Sequence, residues 1–286
     1  MSIPMNTKCV QCLLNKHLEA ARALDAAKAN AFAKDLLQVL KDALDGSNSA
    51  VVGAKINQLY EKHFDLGQDR YIQEKNESNA FVKPRLPAIT DLVEQQKDPV
   101  FAALQFAILG NYLDFSALNG QVSFEKLDQM LSDALKMQLD QKVYAQFCAD
   151  LAAGKKLLYI TDNAGEIGFD RILAEQLQKK YPQLQITFCV RGLPAHNDAT
   201  REDAAFMEIN WPVVDTGNDI GGVEISLLSP EAKKALDESD VVIAKGMGNT
   251  ESMHGCKYNV YYAFLVKCAR FEEYFQKPHM QAMFIK

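Results

Sequence analysis

"LLYITDNAGEIGFDRIL" (residues 157–173) starts as a buried strand and ends as a periodic helix. The join between them holds Thr161, Asp162, Asn163, Gly165 and Glu166. A strand that merely turns into a helix needs a cap and a glycine. It does not need two acids and a side-chain amide crowded where the helix begins. A short apolar run followed by an amphipathic helix is the repeating unit of a parallel sheet covered on its faces.

The unit recurs downstream. "LQITFCV" (184–190), "PVVDTG" (212–217) and "DVVIAKG" (240–246) are further apolar runs, and "SPEAKKALDES" (229–239) is the helix before the last of them. This alternation predicts an α/β layered, largely parallel sheet over residues 151–286. "VYYAFLVKC" (260–268) reads equally as a last strand or a buried helix. Upstream, residues 10–150 read as helical throughout. "CLLNKHLEAARALDAAKANAFAKDLLQVLKDAL" (12–44) is one long periodic stretch, "GSN" (46–48) breaks it, and a further helix is expected over 50–63. "DPVFAALQFAILGNYLDF" (98–115) is strongly apolar, and "SFEKLDQML" (123–131) opens with a capping serine. The expected division is a helical domain, 1–150, and an α/β domain, 151–286.

With 286 residues, 48% hydrophobic and 24% charged, the chain has the composition of a globular protein with a sizeable core. A net charge of −6 without a basic run argues against a nucleic-acid partner. No window approaches 18 uninterrupted apolar residues, so no membrane span is expected. The start, "MSIPMNTKCVQC", lacks the features of a signal peptide, and the expected location is cytoplasmic. The six cysteines are too scattered for a disulfide framework and are expected as free thiols.

Ligands of open parallel sheets bind beyond the carboxyl ends of the strands. All four such ends run into polar, glycine-containing loops: "TDNAGE", "RGLPAHND" (191–198), "DTGNDIGG" (215–222) and "KGMGN" (245–249). Asp162, Asn163 and Asp198 offer three hard oxygen donors from neighbouring strand ends, the chemistry of Mg²⁺ or Mn²⁺. Arg191 and Lys245 would complement an anion, and helix amino termini after Gly165 and Gly248 would add backbone donors. The plainer readings are that Asp162 and Asp198 are helix caps. Lys245, directly after a buried strand, is hard to explain as structure alone, because an unpaired buried ammonium is costly. His196 reads as a solvated loop histidine.

In order and rough spacing, "TDNAGEIGFDRILAEQL", "VRGLPAHNDATREDA", "DTG", "AKGMGN" and "KC" resemble the metal-dependent damage-control phosphatases, the ARMT-like family. "DRYIQEKNESN" (69–79), "LGNYLDF" (109–115) and the N-terminal "CVQC" (9–12) extend the resemblance over most of the chain, the last to a branch carrying CxxC. The resemblance implies a helical domain contributing to the substrate cleft beside a Rossmann-like α/β domain that binds metal and phosphate. It implies hydrolysis of small phosphorylated metabolites such as sugar phosphates. Its metal ligands fall on Asp162, Asn163 and Asp198, and its phosphate-side lysine on Lys245. Glu166, Asn197 and Gly246 lie in its active-site motifs, and Asn111 and Asp114 in the helical motif facing the cleft. Mn²⁺, Mg²⁺, Co²⁺ and Ni²⁺ all suit such ligands.

Water attacking a polarised phosphoryl group is the economical mechanism, with Glu166 positioning or deprotonating the water. Asp162 as a covalent nucleophile is the alternative. Cys9 and Cys12 are read first as incidental, then as part of a second metal site, then as a redox pair, with Cys256 and Cys268 as remote partners. Two other functions compete. An S-adenosylmethionine-dependent carboxyl methyltransferase would want a Gly-x-Gly after the first strand, which "DNAGEIG" lacks. A non-catalytic metal- or phosphometabolite-binding protein would keep its ligands without turnover. The sequence does not disclose the oligomeric state.

Overall fold

Five apolar runs become strands: β1 Lys156–Ile160, β2 Gln185–Val190, β3 Val213–Asp215, β4 Val241–Lys245 and β5 Val260–Leu265. The ambiguous run at 260–268 is therefore a strand, as its β-branched and aromatic content favours. The computed structural model describes residues 2–67, 69–118 and 121–286. A sixth strand, β6 Ala282–Ile285, escaped the sequence reading because four residues at the chain end show no clear period. The sheet order is β3-β2-β1-β4-β5-β6. All neighbours pair in parallel except β6, which runs antiparallel along β5. This is the expected mixed α/β architecture, a mostly parallel sheet flanked by helices.

Both faces of the sheet are covered, which is why its strands read as continuous apolar runs. Leu157, Tyr159, Ile186, Phe188, Ile243 and Tyr261 point to one face, under the helices Pro99–Gly110 and Glu166–Lys180. Leu158, Ile160, Cys189, Val242, Tyr262 and Phe264 alternate to the other, under the helix Pro230–Glu238 and the segment around Phe271. The first core continues without a break from Val82 to Phe284. Residue 150 thus falls inside a continuous core, and the helices between Ile72 and Ala153 act as a layer of the α/β body. The first three helices, Thr7–Leu24, Ala29–Ala43 and Ser49–Phe64, have their own small core around Phe32, Leu36 and Tyr60.

The stretch 12–44 is two helices, not one. Asp25 leaves the helical conformation, and its carboxylate accepts from Ala27 N at 2.9 Å and Lys28 N at 3.3 Å, opening the next turn. Asn6 caps Lys8 and Cys9, and Asn48 caps Val51, fixing where the first and third helices start. These helices stand beyond the carboxyl ends of β1, β4 and β5 and wall the space above the crest. Ile3 N donates to Glu251 O at 2.8 Å, tying the amino-terminal segment to that wall.

Candidate active site

The strand order reverses between β1 and β4, with β2 on one side and β5 on the other. Their carboxyl ends deliver Asp162 and Asn163, the loop 191–198, the helix Gly246–Met253, and Lys267 to one place. Gly165, at φ +76°, makes the turn into the helix, and a Cβ there would lie 2.8 Å from Ser78 and 3.0 Å from Leu113. Its N–H donates to Asn79 Oδ1 at 2.8 Å. Gly246, at φ +80°, lets the β4 backbone lie against a carboxylate, since a Cβ there would meet Asp162 Oδ2 at 2.0 Å.

A cavity of about 380 Å³ opens above this crest. Asp162, Asp198, Asp114, Glu251 and Lys267 line it, facing Lys16, His17 and His196. Asp162 and Asp198 are both buried, at 5% and 6% exposure. The Asp162 carboxyl is raised well above the usual carboxylate range by burial, then by the charges of Asp198 and Glu166. Asp198 is pushed up to about 6 by burial, against the downward pull of Arg191. Two buried carboxylates that oppose each other's ionisation suit a hard cation, whose charge would hold both ionised. Among the described residues no three His, Cys, Asp or Glu side chains converge as a complete cage. The donor set is therefore two carboxylates and at most an amide oxygen, which leaves room for water and phosphate and fits Mg²⁺ or Mn²⁺.

Asn163 stands beside this pair. Its Nδ2 donates to Asp162 Oδ2 at 2.8 Å and to Glu166 Oε2 at 2.6 Å, and its Oδ1 accepts from Asn197 Nδ2 at 3.0 Å. A carbonyl oxygen has two lone pairs, so one remains for a cation.

Several expected contacts with substrate lie below the crest instead. Lys245 is fully buried, and its ammonium donates to Ala107 O at 2.8 Å, Glu166 Oε1 at 2.7 Å and Asp170 Oδ1 at 2.6 Å. Its three protons are spent, which corrects the expectation that it holds phosphate. Glu166 is equally buried and accepts from Asn163, Asn111 and Lys245, so it does not face a reacting water. Arg191 does not reach the cavity either. It donates to Asp198 Oδ2 at 2.6 Å, Asn249 Oδ1 at 3.0 Å and Gly222 O at 3.3 Å, so it orients a carboxylate rather than a substrate anion. Asn197 ties Asn163 to Leu113 O at 2.7 Å. Asn111 donates to Asp162 Oδ2 at 2.8 Å and accepts from Leu265 N at 3.1 Å, bracing the carboxylate from behind. Asp114 does face the cavity, paired with Lys267 at 2.7 Å.

Lys267, the lysine of "KC", carries no role in the sequence reading. Its Nζ donates to Asn111 O and Asp114 Oδ2, both at 2.7 Å, leaving one N–H. Asp170 was also missed. It accepts from Tyr159 OH at 2.8 Å as well as from Lys245, and burial pushes it up to about 7. Its signal was its place one turn after Glu166 on the same helix face. His196, set aside as a solvated loop residue, lines the cavity with its Nδ1 buried. Cys9, Cys12 and Cys268 share the far wall as free thiols, Cys9 buried and Cys12 exposed. Cys256 packs at the edge of the second core.

No helix among the described residues is long and apolar enough to cross a membrane. Over 278 residues the chain is 31% identical to an uncharacterised protein of Methanocaldococcus jannaschii, covering 93% of this chain and 90% of that one. It is 29% identical to a damage-control phosphatase of Archaeoglobus fulgidus, covering 86% and 85%, and 31% identical to one of Pyrococcus horikoshii, covering 74% and 72%. The crystal structure of a DUF89 family protein from Pyrococcus horikoshii superposes with a TM-score of 0.83 at 26% identity, covering 100% of this chain and 99% of that one. The model of the damage-control phosphatase ARMT1-like domain matches residues 5–282, and the chain belongs to that family.

Proposed function

We propose that this protein is a divalent-metal-dependent phosphatase that hydrolyses small phosphorylated metabolites such as sugar phosphates. The observation that carries the reading is the pair of buried, cavity-facing carboxylates, Asp162 and Asp198, with Lys267 beside them. The names of the Archaeoglobus fulgidus and Pyrococcus horikoshii relatives support it.

Asp162, Asp198 and the free lone pair of Asn163 would hold the ion. A divalent cation there supplies charge neutralisation and polarisation of the phosphoryl group. Asn111 and Asn163 fix Asp162 through its Oδ2, and Arg191 fixes Asp198, so neither carboxylate has to reorganise during the reaction. Lys267, its side chain buried against Asn111 O and Asp114, would add positive charge to the phosphoryl site. Water adds to phosphorus as the ester P–O bond breaks, and the proton leaves with the alcohol. Attack by Asp162 itself is disfavoured, because a carboxylate that holds the cation is the poorer nucleophile.

Phosphate release from sugar phosphates and an aryl phosphate tests this, using chelator-stripped protein with Mg²⁺, Mn²⁺, Co²⁺ or Ni²⁺ added back. The expected result is metal-restored hydrolysis that Asp162→Ala abolishes. Folded protein that releases no phosphate with any metal would overturn it, and S-adenosylmethionine binding would then be measured.

A further inference from the structure

At one end of the cavity, cations gather without carboxylate partners. Lys16 projects into it from the helix Thr7–Leu24, with Cys9, Cys12, Leu13 and His17 on the same face. Its Nζ donates to Ser116 O at 2.8 Å and Ser116 Oγ at 3.1 Å, and no carboxylate among the described residues comes within 4 Å. Asp114, the nearest acid in its field, is engaged by Lys267. Burial depresses the Lys16 ammonium, so its neutral surroundings are a cost that a bound anion would remove.

His196 stands next to it. The residue adopts φ +52°, the left-handed region that few residues other than glycine, asparagine, aspartate and histidine enter. Its ring is wedged between Gly53 and Gly221, where added Cβ atoms would lie 3.0 Å and 3.3 Å away. Its Nδ1 is buried with no hydrogen-bond partner among the described residues. The ring also forms the partition to a small recess that Arg70 lines together with Glu61 and Asp69; its guanidinium sits 3.8 Å over the Tyr60 ring and donates to Asn57 Oδ1 at 2.8 Å. Asp198 Oδ2 lies on the other side of Gly221, 3.9 Å from the same Cβ position that meets His196. The imidazole therefore adjoins the carboxylate end of the cavity, and Lys16 lines the same cavity.

We propose that Lys16 and His196, backed by Arg70, form a second anion subsite, so that the preferred substrates are phosphomonoesters bearing another acidic group, a carboxylate or a second phosphate. The proposal rests on the phosphatase reading for the first phosphate. It assigns Lys16 the charge and His196 a hydrogen bond to the second group. Neutral sugar phosphates would leave both unanswered, and a charge-assisted hydrogen bond separates the two classes by roughly tenfold or more.

The test compares matched esters on the full-length, Mn²⁺-loaded protein: 6-phosphogluconate against glucose 6-phosphate, and glucose 1,6-bisphosphate against glucose 1-phosphate. Both kcat/KM and calorimetric binding are read, so the subsite is tested even if no ester turns over. The expected result is an acid-to-neutral ratio of about ten or more in wild type, collapsing toward one in Lys16→Met through KM or Kd. His196→Asn, whose side chain tolerates the left-handed backbone, should lower the ratio by a smaller factor. A wild-type ratio near one in binding overturns the proposal. So does an equal loss on both members in Lys16→Met, which would make Lys16 a ligand of the reacting phosphate. A binding ratio of ten without turnover would keep the subsite and remove the phosphatase reading.

Discussion

Two groups of polar residues lie only a side chain apart at the crest of the sheet, and they obey opposite rules. Below it, Lys245, Glu166, Asp170, Asn111 and Arg191 are buried and held by one another, with short hydrogen bonds on nearly every polar atom. Above it, Asp162, Asp198, Lys16 and His196 border open space with bonding capacity left over. The lower group is a foundation whose task is finished when the chain folds. The upper group is completed only by something bound. Residue type alone does not separate them, because each contains acids and a lysine.

Breaking the upper group should abolish activity and leave the fold. Asp162→Asn keeps the shape and removes a charge, so phosphate release should fall by about a thousandfold, some 4 kcal/mol of transition-state stabilisation. Circular dichroism and the melting temperature should change little or rise, because a buried, disfavoured charge is gone. Unfolded Asp162→Asn would put Asp162 in the foundation. Breaking the lower group should do the reverse. Lys245→Met strips the counter-charge from Glu166 and Asp170 and should cost about 3–5 kcal/mol in denaturant titration. A Lys245→Met protein of wild-type stability whose KM for phosphate esters alone has risen would return that lysine to the substrate.

This contrast also explains what could be read in advance. Asp162 and Asp198 were legible because they follow short apolar runs, and ligands gather there in parallel sheets. Lys245 and Lys267 both follow such runs and both side chains are buried, yet only the second residue borders the cavity. Lys245 is the last residue of β4, and strand parity puts it on the face of Val241 and Ile243, under the helix Glu166–Lys180. Lys267 lies two residues past β5, free of that alternation. Parity was in the sequence and would have separated them. Lys16 and His196 were not legible: 180 positions separate them, and only the packing of the first helix over the crest brings them to one cavity end. The split of 12–44 into two helices turned on one Asx cap at Asp25, which a periodicity count passes over.

Glu251 extends the comparison to pH. It is buried at 5% exposure, Ser49 Oγ donates to its carboxylate, and burial raises the acid to about 7 from an ordinary value of 4.5. The folded state then holds a proton that the unfolded chain has released. Its contribution to stability is full below about pH 4.5 and is lost as pH rises through 7. Asp198, raised to about 6, and Asp170, raised to about 7, slope the same way, so the difference between wild type and Glu251→Gln isolates one carboxyl. Glu251→Gln should be more stable than wild type at pH 8 by about 2–3 kcal/mol, and the gap should close toward pH 4.5. A gap independent of pH would mean that this carboxyl is already ionised in the fold.

The smallest expected effect concerns Cys9 and Cys12, which share a motif and a helix face but not an environment. Cys9 is buried, with its thiol pushed up by desolvation, whereas Cys12 is exposed at the cavity edge. Serine at position 9 would place a hydroxyl in the apolar cluster that also holds Met5 and Phe32, at a cost of about 1 kcal/mol. Serine at position 12 should stay within about 0.5 kcal/mol of wild type. Urea titrations under reducing conditions compare the two. Unequal costs of this size would make the motif one core residue and one surface residue. Equal, larger losses, with the double variant losing no more than either single one, would instead mark the two thiols as a unit and place the pair in the ligand-facing group.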